Sequence, residues 1–287
     1  MKRFAMTAGL MLLIVGVALA QPPQEPPASF YSRNTPKDLV EFEMMTWPEV
    51  YRAIHHEGKT TALFYTGGTE SRGPQAVNGG HTIMAKATVK AIAQKLGNAI
   101  AMPVLPYTPN GASGQLTGTI GLTPEILALV LERLSEEAIT TGFKNIILMG
   151  DHGGGQPTVY QQVAMKLENK YAALARKENR SQDVHVYYCN SVYATAQADF
   201  DKYLTSKKLP ISTHAGIPDT STLMYLQGKT NDYTRLDLLS VAAAARSGVP
   251  SGVTGDGRQS SVELGKMAFD MKVDYAVRQI KQLTAGR

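Results

Sequence analysis

Four short runs rich in apolar, β-branched and aromatic residues, at 61–65, 99–105, 145–149 and 184–189, are separated by segments whose apolar residues recur every three or four positions. A strand covered on both faces reads as a continuous apolar run, and strands alternating with helices close by right-handed crossovers into a parallel sheet. The pattern therefore predicts a mostly parallel sheet with helices on both faces, a three-layer α/β/α fold, in one domain over 38–287. One helix ends at Leu96, with Gly97 suited to a left-handed cap. Another starts at Pro124, whose missing N–H costs nothing at a first helical position, with Thr123 as N-cap. Further helices are expected over 157–176, 220–226 and 261–283. In sheets of this kind ligands gather at the carboxyl ends of the strands.

Composition narrows the partners. With 43% hydrophobic and 18% charged residues over 287 positions, the chain has enough apolar side chains for a sizeable core. Its 29 Lys and Arg against 24 Asp and Glu give +5 without any block of like charge, so nothing calls for nucleic acid. A single cysteine, Cys189, excludes an internal disulfide and any cysteine-based metal site, and its thiol is expected to be buried and inert. Any metal must then be held by His, Asp or Glu. Residues 1–20 read as a cleavable signal peptide: Lys2 and Arg3 precede an apolar stretch that closes on Ala18-Leu19-Ala20. A periplasmic or secreted protein is the expectation, with no later run able to hold it in a membrane. Segment 21–37 carries Pro22, Pro23, Pro26, Pro27 and Pro36 and reads as an extended tether.

The loops after the first and third strand runs are glycine-rich and ionisable: Thr66-Gly67-Gly68-Thr69-Glu70-Ser71-Arg72-Gly73-Pro74, and Gly150-Asp151-His152-Gly153-Gly154-Gly155. Neither has the glycine spacing of a phosphate loop. Glu70, His81 and His152 supply the two imidazoles and one carboxylate that suit a catalytic zinc with a water in its fourth position. Taken singly, each has an ordinary reading: His81 a helix-start residue, His152 a satisfied core histidine, Glu70 a loop carboxylate. Tyr107, Asn110 and Ser113 follow the second strand run as candidate substrate-binding residues, although these types are common in loops. His55 and His56 read as surface residues, and His185, alternating with apolar neighbours, as core.

Several segments resemble one family in order. Glu70-Ser71-Arg72-Gly73-Pro74 is similar to its Glu-Gln-His-Gly-Pro, and His81 stands where it has an Asp. Residues 149–155 are similar to its Asn-Gly-His-Gly-Gly-Asn, and His214-Ala215-Gly216-Ile217-Pro218-Asp219-Thr220-Ser221 to its His-Ala-Gly-x-x-Glu-Thr-Ser. Trp47-Pro48-Glu49 and Thr117-Gly118-Thr119-Ile120 also fit. The family is that of creatininase, metal-dependent amide hydrolases whose usual site holds two metals. The resemblance implies hydrolysis of a small amide, cyclic ones included, or a related C–N bond by metal-activated water, in a homo-oligomer, often a hexamer. Here Arg72, His81 and Gly154 replace usual metal-site side chains, and a guanidinium cannot ligate a cation. One divalent ion on Glu70, His81 and His152 is expected: zinc first, with manganese, iron or nickel open. The same resemblance makes Asp219 a proton carrier, with a helix N-cap as its other reading. His214 would border the substrate pocket or orient Asp219. Arg72 would bind substrate charge or an oxyanion, or form a salt bridge to an acid such as Asp151. Two other functions stay open: an exported protein that captures a small anionic or metal-bound ligand without turnover, and a lactone hydrolase.

Overall fold

The computed structural model describes residues 24–150, 152–235 and 248–285. The signal-peptide segment and Asp151 therefore lie outside the described residues. Four strands, β1 (Thr61–Thr66), β2 (Ala99–Ala101), β3 (Asn145–Gly150) and β4 (His185–Tyr188), form one parallel sheet in the order β2-β1-β3-β4. Thr61 pairs with Asn145 and Thr66 with Gly150, so β1 and β3 end level. Seven described helices surround the sheet: α1 (Trp47–His55), α2 (Gly80–Leu96), α3 (Pro124–Thr141), α4 (Gln156–Lys177), α5 (Ala196–Ser206), α6 (Ile217–Gln227) and α7 (Val262–Thr284). This is the three-layer α/β/α arrangement that the alternating runs predict.

Period-two alternation divides the two central strands between two cores. Ala62, Phe64, Ile146 and Leu148 pack with Ile54, Leu127, Leu131 and Val163, from α1, α3 and α4. Leu63, Tyr65, Ile147 and Met149 pack with Val89, Ile92, Val273 and Ile280, from α2 and α7. All six residues of β1 are buried, which is why the run carries no polar alternation. Helix ends follow local chemistry. Thr123 accepts from the Ile126 amide, Pro124 takes the first helical position, and Gly97 closes α2 at φ 80°. Where α6 and α7 meet, a Cβ on Gly265 would overlap the Ser221 carbonyl, so the close approach requires glycine.

Some expectations change. The second strand ends at Ala101 instead of continuing to Leu105, because Pro103 has no N–H for the ladder; Leu105 returns as an isolated bridge to Thr66. Helix α6 begins at Ile217, not at residue 220, so Asp219 is its third residue and not its N-cap. It still serves the helix start by accepting from the Ala215 amide at 2.7 Å. Within 21–37 the described residues are not wholly extended: Ala28–Phe30 forms a 3-10 turn whose Phe30 ring lies edge-on to Trp47. The sequence marks only the polar end of α1, around His55 and His56, and gives no sign of α5. Helix α1 carries a legible signal, the Thr46/Glu49 capping box with Pro48 between. Helix α5 follows a π-helical turn, Ser191–Thr195, which blurs its period.

Candidate metal centre

The strand that delivers the site runs straight into it. After β1 the chain passes through Gly67, where a Cβ would lie 2.6 Å from the Thr82 Cα, so this loop can press onto the start of α2 only with glycine. The loop then places Glu70 and Arg72 beneath His81, the second residue of α2. His152 follows β3 by two residues, and His214 arrives from the segment preceding α6. The group thus sits at the carboxyl ends of the two central strands, as a parallel sheet favours.

Three imidazoles converge on one carboxylate oxygen. Glu70 Oε1 lies 3.0 Å from His81 Nε2, 2.8 Å from His152 Nε2 and 2.6 Å from His214 Nε2. The ligand atoms of these four residues lie within 4.8 Å of one another. Glu70 is buried, and its other oxygen accepts from the Ser113 hydroxyl. Burial pushes the Glu70 carboxyl up, but hydrogen bonds from His152, His214 and His81 pull further and hold it far below the usual carboxylate range. Burial pushes the His152 imidazole below its ordinary value. His152 Nδ1 accepts from the Gly154 amide at 3.0 Å, so the neutral ring carries its proton on Nε2, toward Glu70, and ligation through Nε2 requires the other tautomer. His214 Nδ1 donates to the Gly252 carbonyl, which fixes the ring with Nε2 toward Glu70. The donor set fits a divalent cation. It also enlarges the one read from sequence: His214 was placed at the substrate border, and nothing in its spacing tells that it reaches Glu70.

Arg72 is fully buried. Its Nη2 lies 2.9 Å from Asp219 Oδ2 and its Nη1 3.4 Å from Glu70 Oε1. The guanidinium is therefore spent on two carboxylates within the protein. Of the roles read for it, the salt bridge is the one the structure shows, and its partner is Asp219. Burial raises the Asp219 carboxyl, and the opposing charges of Arg72, His81, Lys272 and His214 outweigh burial and hold it at about 2.

A family model for creatininase, creatinine amidohydrolase, matches residues 43–280. The chain belongs to the creatininase family. Solved creatininase-family structures share its fold at low identity. A creatininase mutant described as Zn-Zn type is 19% identical with a TM-score of 0.67, covering 86% of this chain and 99% of its own. A structure named creatininase Mn is 17% identical with a TM-score of 0.64, with coverage of 86% and 99%. A creatinine amidohydrolase from Bacteroides fragilis, itself named only provisionally, is 14% identical with a TM-score of 0.58, covering 88% of this chain and 99% of its own. No curated protein matches the chain.

Against the creatininase pattern, the position of Gly154 is informative. A Cβ there would lie 2.5 Å from the Pro109 carbonyl oxygen and 2.8 Å from His152 Cε1, so the neighbouring loop occupies the space that a side chain would need. With Arg72 already filled by Asp219, two positions departing from the creatininase site are built around their new residues. Beside the cluster opens a cavity of about 530 Å³, lined by Glu70, His152 and His214 together with Asn110 and Ser113. Tyr107, read as a third pocket residue, is 42% exposed and is not part of this wall. Asp219 faces a separate cavity of about 110 Å³ shared with His81, His214 and Lys272. His185 is a core residue bonded to Glu168 at 2.9 Å, and His55 and His56 are exposed. Burial pushes the Cys189 thiol up to about 12. No described helix is long and apolar enough to cross a membrane.

Proposed function

We propose that this creatininase-family chain is a metal-dependent amidohydrolase working with one divalent ion, zinc first, on a small amide or related C–N bond. The observation that carries the reading is the convergence of His81, His152 and His214 Nε2 on Glu70 Oε1 within a chain of this family. Glu70, His81, His152 and His214 would hold the ion. When bound, it supplies a Lewis acid for the carbonyl and lowers the pKa of a water.

The protein side of the reaction is positioning. Ser113 donates to Glu70 Oε2 and so aims Oε1 at the imidazoles. Gly252 fixes the His214 ring through Nδ1. Arg72 sits between Asp219 and Glu70, and its charge keeps Asp219 ionised. Asp219, with its carboxyl at about 2 and Oδ2 already taken by the Ala215 amide and Arg72, is a weak proton acceptor. We give it the role of holding Arg72 in place, and not that of proton carrier. Comparing Asp219→Asn with wild type separates the two. A carrier's loss abolishes turnover with metal content intact, whereas a positioning residue's loss weakens the site itself.

A second reading has its own support. Four protein ligands would satisfy a tetrahedral zinc by themselves, as in structural sites. A protein that captures a ligand without turnover would look like this. Elemental analysis followed by an amide and lactone panel decides. One equivalent of metal with amide turnover supports the proposal; one equivalent without turnover of either class favours the binding reading; lactone turnover alone would move the reaction to C–O bonds. Export before function, read from residues 1–20, and assembly into a homo-oligomer, which the family resemblance implies, belong to the same proposal.

A further inference from the structure

Four polar side chains outside the ligand group are packed away from water: Thr66, Thr108, Gln156 and Tyr160. Their hydrogen bonds form one connected chain. Thr66 Oγ1 is bonded to the Tyr160 hydroxyl, which donates to Gln156 Oε1 at 2.5 Å. Gln156 Nε2 donates to Thr108 Oγ1 at 2.5 Å, and the Thr108 hydroxyl donates to the Gly67 carbonyl at 3.0 Å. The Gln156 carboxamide is the centre of this chain and has one workable orientation. Turned over, its Oε1 would compete with the Gly67 carbonyl for the single Thr108 proton.

Each member belongs to a segment that also carries part of the candidate metal centre. Thr66 ends β1, and the loop that follows brings Glu70. Thr108 lies in the loop after β2, shortly before Ser113, whose hydroxyl donates to Glu70 Oε2. Gln156 opens α4 just after the His152 loop, and Tyr160 lies one turn further along that helix. The chain also abuts the ligands directly. A Cβ on Gly68 would meet His152 Cδ2 at 3.2 Å and Thr108 Oγ1 at 3.5 Å, so one glycine backbone is all that separates the imidazole from the Thr108 hydroxyl. These segments are far apart in sequence, and their mutual register at the site depends on contacts of this kind. Apolar side chains would avoid the desolvation cost of burying such groups, but they tolerate sliding. Hydroxyl and carboxamide bonds hold only at set distances and angles.

We infer that Gln156 is a positioning residue for the ligand group: through Thr108 on one side and Thr66 with Tyr160 on the other, it sets where the loops bearing Glu70, Ser113 and His152 meet. The inference rests on the metal-dependent reading above and adds to it a support that touches no ligand atom.

The test measures zinc affinity by competition with a chromophoric chelator, and the visible absorption of the cobalt(II)-substituted protein, near pH 7. Wild-type zinc uptake is measured first, and each variant is checked for folding by circular dichroism. Gln156→Met removes the centre of the chain at similar size. Thr108→Val removes only the hydroxyl, whereas Thr108→Ser keeps it. Leu167→Ala, in the buried core of the same helix, is a control for general loosening. Gln156→Met and Thr108→Val should weaken zinc binding by about 10- to 100-fold and shift the cobalt band, as when the support of a metal ligand is lost. Thr108→Ser and Leu167→Ala should keep the wild-type affinity and band. Wild-type affinity and band in both Gln156→Met and Thr108→Val overturn the inference and leave the metal reading intact. An equal loss in Leu167→Ala or in Thr108→Ser overturns it as well, since the effect would then not follow the hydrogen-bond chain. If Gln156→Met does not fold, the Thr108 pair decides by itself. Absence of zinc uptake by wild type overturns the metal reading, and this inference with it.

Discussion

At the scale of single residues, the Arg72–Asp219 pair decides more than any ligand does. Breaking a buried pair strands a charge, at a cost of about 3–5 kcal/mol, whereas replacing both members by apolar residues of similar size is often neutral. Asp219→Ala should therefore lower the melting temperature by about 10 °C, and Arg72→Met with Asp219→Leu should recover most of that loss, as read by thermal denaturation. The sign of the pH effect follows from the direction of the shift. The Asp219 carboxyl falls from 3.8 to about 2 on folding, so its stabilisation is complete above the unfolded value and is lost as pH falls through about 2. Wild type should shed about 2 kcal/mol between those values that Asp219→Asn lacks, measurable as a difference in denaturant midpoints against pH. Gly154→Ala forces a methyl to within 2.5 Å of the Pro109 carbonyl oxygen and 2.8 Å of the His152 ring. It should weaken zinc affinity by about 10- to 100-fold, the usual range when the support of a ligand is disturbed. Unchanged affinity in a zinc competition assay would remove the argument that this loop is shaped around glycine.

At the scale of elements, what could be read was whatever local chemistry determines. Helix α3 was legible at both ends because Thr123, Pro124 and Gly142 each do a local job, and Thr123→Ala should cost about 1 kcal/mol in a urea melt. The end of β2 was misjudged because an apolar run does not reveal where hydrogen bonding stops; Pro103 does. Helix α1 is legible only at its polar end around His55 and His56, although Thr46 and Glu49 form a capping box at its start, since the segment opens on Trp47-Pro48 and its period is short. Asp219 shows the limit in the other direction. A residue of capping type just after Pro218 suits an N-cap, yet the helix starts two residues earlier, and its side chain is shared between the Ala215 amide and Arg72.

At the scale of the whole molecule, the candidate site ties four distant segments into one cluster, so ligand binding and global stability are linked. An ion that binds the folded chain at 100 times its dissociation constant adds about 2.7 kcal/mol. Zinc should accordingly raise the melting temperature by roughly 5–10 °C and a chelator should reverse the rise, with His152→Ala giving no shift. A wild-type shift of nil would count against a built metal site. The α/β/α class, the strand runs, the inert Cys189 and the grouping of Glu70, His81 and His152 were all available from sequence. Each depends on periodicity, composition or placement at a strand end, and these are local properties of the chain. Tertiary structure alone brought His214 onto Glu70 across 144 positions and gave Arg72 to Asp219 instead of to a ligand. It also closed the Pro109 loop over Gly154 and left Tyr107 outside the cavity. The reason is physical: which of several equally suitable partners a charged side chain meets is set by how loops pack over the strand ends, and residue type and spacing carry no record of that packing.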